Sequence, residues 1–308
     1  MATTTSITST YAGEFAGKYI SAALLSADTI EGGGITIKPN VKYKEVMKTL
    51  STDAIVKDAT CDFSDTSTLT LAEKILQPEE FQVNLELCKS DFVSDWEAIS
   101  MGYSAFDELP ANFADYLIGH VAAKVAQKTE QTIWTGVTAT AGEFNGFATL
   151  LAADGDVVDV VGTTITAANV ITEMGKVVDA IPSAVYGKDD LYLYVSQNVA
   201  RAYVRALGGF GASGLGANGV NNAGTTWFNG GDLAFDGVKI FVASGMADNE
   251  MVAAQKSNLF FGTGLLSDHN EVKLLDMADL DGSQNVRVIM RYTAGVQIGI
   301  GADIVYYT

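Results

Sequence analysis

The longest unbroken pattern in the chain lies at its C-terminus. Val286, Val288, Met290, Tyr292, Ala294, Val296, Ile298, Ile300, Ala302, Ile304 and Tyr306 fall on every second position. Period two is the signature of a half-buried strand, and this length predicts one long strand or a pair. Shorter alternations at Ile35–Ile37, Val41–Tyr43, Leu69–Leu71 and Phe81–Leu87 predict strands in the first third, with a polar stretch from Ser51 to Thr68 between them. Strands leading out to a polar tip and back predict a projecting hairpin, which has little of its own subunit to rest on. Further strands are predicted at Leu191–Val195, Val238–Ala243, Met251–Ala254 and Val272–Leu275.

Helical spacing appears in four places. In Tyr11–Leu25 the residues Phe15, Tyr19, Ala22, Ala23 and Leu25 mark a short amphipathic helix that stops before Gly32-Gly33-Gly34 and reads as part of a tether, not of a core. Pro110 suits a first helical turn, where its missing N–H costs nothing. Phe113, Leu117, Val121, Val125 and Thr129 follow at four-residue steps toward Trp134 and Gly136. The spacing predicts a helix of about 25 residues, nearly 40 Å at about 1.5 Å per residue. A third helix is predicted from Thr166 as its N-cap through Val170, Met174 and Val177 to Ile181, stopped by Pro182. A fourth is predicted from Ser196 through Ala200 and Val204 to Leu207. Gly208 to Gly231 then holds nine glycines in 24 residues, and residues 1–10 form a Ser/Thr tract expected to be mobile.

Composition narrows the function. The 308 residues carry 19 Lys and Arg against 37 Asp and Glu, for a net charge of −18. All four arginines (Arg201, Arg205, Arg287, Arg291) lie beyond residue 200. A duplex reader held by counterion release needs a basic footprint, which this chain lacks. No run approaches the ~20 apolar residues of a membrane span, and the N-terminus has neither the basic nor the apolar region of a signal peptide, so a soluble chain is expected. It is 48% hydrophobic and only 18% charged. Either a large ordinary core or burial against copies of itself would reconcile these values.

Candidate chemistry is sparse. Cys61 and Cys88 are 27 residues apart with no CxxC, and only His120 and His269 could assist, so two reduced, partly buried thiols are expected. Gly209-Phe-Gly211-Ala-Ser-Gly214 and Gly214-Leu-Gly216-Ala-Asn-Gly219 spell GxGxxG, but they follow a helix where a dinucleotide site requires a strand. His120 reads as a helix-surface or core-edge residue. Ser267-Asp268-His269 places triad residue types side by side, whereas triads assemble from distant positions. Asp154, Asp156 and Asp159, and Asp276, Asp279 and Asp281, lack the spacing of a calcium loop and read as solvated turns. Glu79-Glu80 and Asp189-Asp190 are neighbours, not opposed carboxylates. No catalytic, cofactor-binding or metal residue is assigned, no cofactor is expected, and the chain is not read as an enzyme.

The order of elements is more specific than any residue: arm, two-stranded projection, long helix, mixed region with a glycine-rich excursion, long final strands. It resembles the major capsid proteins of tailed phages, with the Hong Kong 97-type fold. Glu130-Gln-Thr-Ile-Trp134-Thr-Gly136 with Gly142-Glu-Phe-Asn-Gly146-Phe147 resembles the end of that family's spine helix and the turn after it. Thr166 to Pro182 resembles its second helix. Gly237–Ser244, Lys256–Thr263 and Ser267-Asp268 resemble its returning strands, and Val286–Tyr307 its last strands.

The resemblance covers nearly the whole chain after residue 10 and implies an α+β fold. Residues 1–34 would be an N-terminal arm, 35–90 an extended E-loop with flanking strands, and 91–189 a peripheral domain with a spine helix at about 110–135. Residues 190–268 would be an axial domain with its glycine-rich loop at 208–231, and 269–308 strands returning to the peripheral domain. It also implies pentamers and hexamers closing an icosahedral head around double-stranded DNA that is enclosed without specific binding. Further partners would be a separate scaffolding protein, a portal and decoration proteins, with no membrane. The location would be the virion after assembly in the host cytoplasm. Some members crosslink a loop lysine; Lys57 and Lys74 lie in that region, but nothing marks either for that chemistry. An encapsulin-like bacterial compartment would look similar, while a surface-layer or adhesin module and an unrecognised hydrolase fit less well.

Overall fold

A computed structural model describes residues 28–52, 55–59, 61, 65–88, 111–207, 233–264, 273–278 and 282–308. Two sheets and one free-standing ribbon organise them. In the first sheet β12 (Asn285–Ile298) is the spine: it pairs antiparallel with β4 (Glu79–Cys88), β11 (Lys273–Asp276) and β10 (Leu259–Gly262), and β10 pairs parallel with β1 (Thr36–Lys38). The second sheet runs β5 (Val158–Val160), β13 (Val305–Tyr307), β9 (Met251–Gln255), β6 (Leu191–Ser196), β8 (Val238–Ala243), β7 (Ala234–Phe235). The ribbon is the antiparallel pair β2 (Glu45–Thr52) and β3 (Leu69–Leu76).

The C-terminal alternation produces β12, whose Val286, Val288, Met290, Tyr292, Ala294, Val296 and Ile298 are all buried. The pattern then breaks at Gly299. Ile300 and Ala302 are exposed, a single 3₁₀ turn occupies Gly301–Asp303, and β13 begins in the other sheet. The chain thus changes sheets where a run of small residues permits a corner, and period two carries no mark of that change.

Helix α2 (Ala111–Thr135) follows the predicted span, and Val121, Val125, Ile133 and Trp134 bury one side of it against the first sheet and helix α3 (Phe147–Ala153). α4 (Val170–Asp179) and α5 (Gln197–Leu207) pack on the second sheet through Met174, Val177, Val199 and Tyr203. α4 is shorter than expected. Its N-cap is Asn169, and Thr166 instead donates its N–H to Asn169 Oδ1 at 2.7 Å, closing a turn ahead of the helix.

Other expectations shift as well. Val41–Tyr43 is not a strand: Val41 is buried with its N–H on Thr263 O (3.1 Å), Lys42 and Tyr43 are exposed, and β2 begins at Glu45. The triple glycine is packed against the body and does not hang as a tether, running from an exposed Gly32 to a buried Gly34. α1 (Asp28–Glu31) seats a fully buried Thr29, and Gly34 lies against the Phe241 ring so closely that a Cβ would sit 2.8 Å from it. The sheets also cut across the segments drawn from the sequence. β5 and α4 (within 91–189) and β13 (within 269–308) build or cover the second sheet, while β10 (within 190–268) lies in the first. The Tyr11–Leu25 helix, Pro110 and the glycine-rich stretch at 208–231 lie outside the described residues.

Candidate assembly surface

The β2–β3 ribbon is built so that one face has nothing beneath it. Register runs from Glu45 opposite Leu76 to Thr52 opposite Leu69. Directly opposed residues share a face. One face therefore holds Glu45, Met47, Lys74 and Leu76; the other holds Val46, Lys48, Leu50, Leu69, Leu71, Glu73 and Ile75. On the second face the apolar side chains are open to water: Val46 is 47% exposed, Leu50 59%, Leu69 60%, Leu71 67% and Ile75 45%. At the tip Ile55 and Val56 are exposed too. Monomeric proteins rarely leave so many large apolar side chains contiguous in water, and a two-stranded ribbon alone is marginally stable.

The ribbon's root is fixed. Leu76 is fully buried and fills a socket against Gly262, where a Cβ would come within 2.9 Å of its Cδ2. Lys38 pairs with Glu45 at 2.5 Å and Lys74 with Asp154 at 2.5 Å, while Gln297 Nε2 donates to Ile75 O at 2.8 Å. The Lys74 hydrogen bond holds the Asp154 carboxyl below its usual range. Asp154 also accepts the Asp156 N–H at 3.1 Å, so these two form a turn that doubles as an anchor for the ribbon, whereas Asp159, expected in the same turn, lies in strand β5.

A second anchor sits where the N-terminal segment joins the body. Glu130, on the buried side of α2, accepts hydrogen bonds from Thr29 N (3.1 Å) and Thr29 Oγ1 (2.5 Å), and Trp134 Nε1 donates to Thr29 Oγ1 at 2.8 Å. Burial raises the Glu130 carboxyl above its usual range, partly offset by those bonds, and Asp28 adds a smaller repulsion in the same direction. Sequence reasoning missed both anchors. The available signal was a Glu four positions before Trp134 on the apolar side of a helix, where an unpartnered acid would not be stable.

The structure does not gather the remaining polar candidates into one place. His120 is half-buried on α2, Cys61 is exposed and Cys88 half-buried, so the expectation of two partly buried thiols fails at Cys61, which lies in the open hairpin tip. Asp190 accepts from Gln255 Nε2 (2.8 Å) and Ser257 Oγ (2.6 Å), and Glu79 and Glu80 lie along β4. Asp276 ends β11, where its Oδ1 accepts the Ala278 N–H at 3.0 Å. Both GxGxxG runs, Ser267-Asp268-His269, Asp279 and Asp281 lie outside the described residues. Among the described residues no three His, Cys, Asp or Glu side chains group as metal ligands, and no helix is long and apolar enough to cross a membrane.

No family model matches the chain, and no curated protein does. Solved structures do. The capsid of a native GTA particle superposes with a TM-score of 0.64 at 15% identity, covering 94% of this chain and 93% of that one. The capsid of Myoviridae phage XM1 gives 0.60 at 12% identity, covering 95% of each. Gordonia phage Cozz gives 0.60 at 11% identity, covering 94% of this chain and 89% of that one. Arm base, ribbon, long helix and both sheets together thus have the fold of phage capsid subunits.

Proposed function

We propose that this chain is a major capsid protein, the structural subunit of a phage-type head. The observation that carries the reading is a capsid-subunit fold along 94% of the chain that leaves the apolar face of its ribbon bare. Copies of the same chain would cover that face in a closed shell, and the ordering of an extended ribbon would be compensated there by burial.

In this reading residues 1–34 form the arm, 35–90 the E-loop with its flanking strands, and 91–189 the peripheral domain around α2. Residues 190–268 form the axial domain and 269–308 the returning strands, with β5, α4 and β13 contributed to the axial sheet. An acidic shell lining encloses double-stranded DNA without adhering to it. The role is structural, the location is the virion, and scaffold, portal and decoration proteins are its expected partners. The capsid neighbours favour a phage-type head over an encapsulin-like compartment.

The test is a protein inventory of DNA-containing particles purified from the source. This chain should be their most abundant polypeptide and should be accompanied by a portal. Its absence from such particles, or its recovery in shells around a packaged enzyme, would overturn the reading.

A further inference from the structure

We propose that Asn258 clasps the joint between the two sheets and sets the angle between them, and with it the curvature of the shell; the proposal rests on the capsid reading above.

Among the described residues the chain passes three times between the body of the first sheet and that of the second. It leaves α3, which packs on α2 and β12, and enters β5 through residues 154–157. It returns from β9 to β10 through a 3₁₀ turn, Lys256–Asn258, and leaves β12 for β13 through residues 299–304. All three passages meet. Asp154 lies against the last of them: a Cβ at Gly301 would be 3.0 Å from its Oδ1, and Val158 N–H donates to Ile304 O at 3.0 Å. Asn258 joins the other two. It is 8% exposed, its Nδ2 donates to Ile300 O at 2.8 Å, and its Oδ1 accepts the Ile300 N–H at 2.7 Å. Its own carbonyl accepts the Gly299 N–H at 2.9 Å. A Cβ at Gly299 would run into Asn258 Oδ1, so the corner closes on the amide only because residue 299 is glycine. Lys74 fastens the ribbon to Asp154 at the same joint.

Apolar packing between the two bodies is non-directional and permits small sliding. A two-pronged amide bond is directional and holds only near one geometry. Opening it would leave the nearly buried Asn258 amide without partners, so the joint has one favoured angle. A shell closes only when the contacts of each copy stand at a fixed angle to one another. Contacts made through the first body and contacts made through the second are held at the angle this joint sets.

The test compares particles of the full wild-type chain with those of Asn258→Ala, Asn258→Asp and Val177→Ala by electron microscopy. Asn258→Ala removes both prongs. Asn258→Asp keeps the acceptor and sets a carboxylate against Ile300 O. Val177→Ala opens a fully buried site in α4, away from the joint, and controls for lost stability. All three should melt below the wild type. Val177→Ala should give particles of wild-type diameter, whereas both Asn258 variants should give mixed diameters, tubes or open sheets. Amide exchange in the wild-type chain is a readout that needs no variant. The Gly299 and Ile300 N–H groups should exchange as slowly as those of β9, in the free chain and in particles.

Asn258 variants that form particles of wild-type diameter would overturn the proposal and leave the capsid reading intact. The same diameters lost in Val177→Ala would overturn it as well, by assigning the effect to stability alone. If the Asn258 variants yield no soluble protein, exchange decides: fast exchange at Gly299 and Ile300 means an open clasp and refutes the proposal. Failure of the wild-type chain to form particles under any condition would instead remove the capsid reading, and the proposal with it.

Discussion

Glu130 brings a carboxyl into a site that supplies hydrogen-bond donors and no basic side chain among its described partners: Thr29 N, Thr29 Oγ1 and the Gly245 N–H face it, with Asp28 nearby. Its ordinary value is 4.5 and burial raises the folded value. At pH below 4.5 both folded and unfolded chains hold the proton. As pH rises, the unfolded carboxyl ionises first, so this group's contribution to stability falls until the folded value is passed and then levels off. Glu130→Gln should remove that loss. Its amide reproduces the neutral acid, with Oε1 accepting Thr29 N–H and Nε2 donating to Thr29 Oγ1. Melting curves from pH 4.5 to 8.5 should therefore diverge, with the wild type declining relative to the variant; parallel curves would contradict the account. Glu130→Ala strands the donors instead and should cost about 1–3 kcal/mol near pH 4.5, the cost shrinking as pH rises because only the wild type declines. Gly245 belongs to the same site: a Cβ there would lie 2.9 Å from Gln131 N, against backbone that cannot yield, so Gly245→Ala should give little soluble protein.

At the scale of elements, the ribbon combines a fixed root with an unfinished face. Leu76 is fully buried at the root, so Leu76→Ala should cost about 2–5 kcal/mol in a denaturant titration. The bare face should behave oppositely. Val46→Ser, Leu50→Ser and Leu71→Ser remove exposed groups, and each should shift monomer stability by no more than about 0.5 kcal/mol. Combined, they should abolish particle formation; assembly unaffected by all three would show that the face is not buried between copies. Most elements were legible because their periods are strong: α2, β6, β8, β9 and β12 follow directly from spacing. The polar tip and the Leu69–Leu71 alternation mark the hairpin, but its leading strand does not show: the alternation falls at Val41–Tyr43, whereas β2 runs Glu45–Thr52. What escaped was tertiary. α3 and β5 are too short to show a period, the corner after Gly299 keeps the alternating pattern while changing sheets, and the docking of Gly32–Gly34 depends on Phe241, more than 200 residues away.

For the whole molecule, the sequence carried the capsid reading through the order of elements, since the neighbours share only 11–15% identity with it. No local motif carried it: the specific signal is the order in which the matching stretches follow one another. The relevant signals are instead distributed: a net charge of −18 and a high apolar fraction with few charges. The anchors were less visible, because Lys74–Asp154 and Thr29–Glu130 join residues 80 and 101 positions apart.

The most direct measurement is the mass and shape of the purified chain, alone and co-expressed with a scaffolding protein from the same genome, by light scattering with negative-stain microscopy. The account predicts closed shells, tubes, or rings of five or six copies. A 32.5 kDa monomer persisting under both conditions would contradict it.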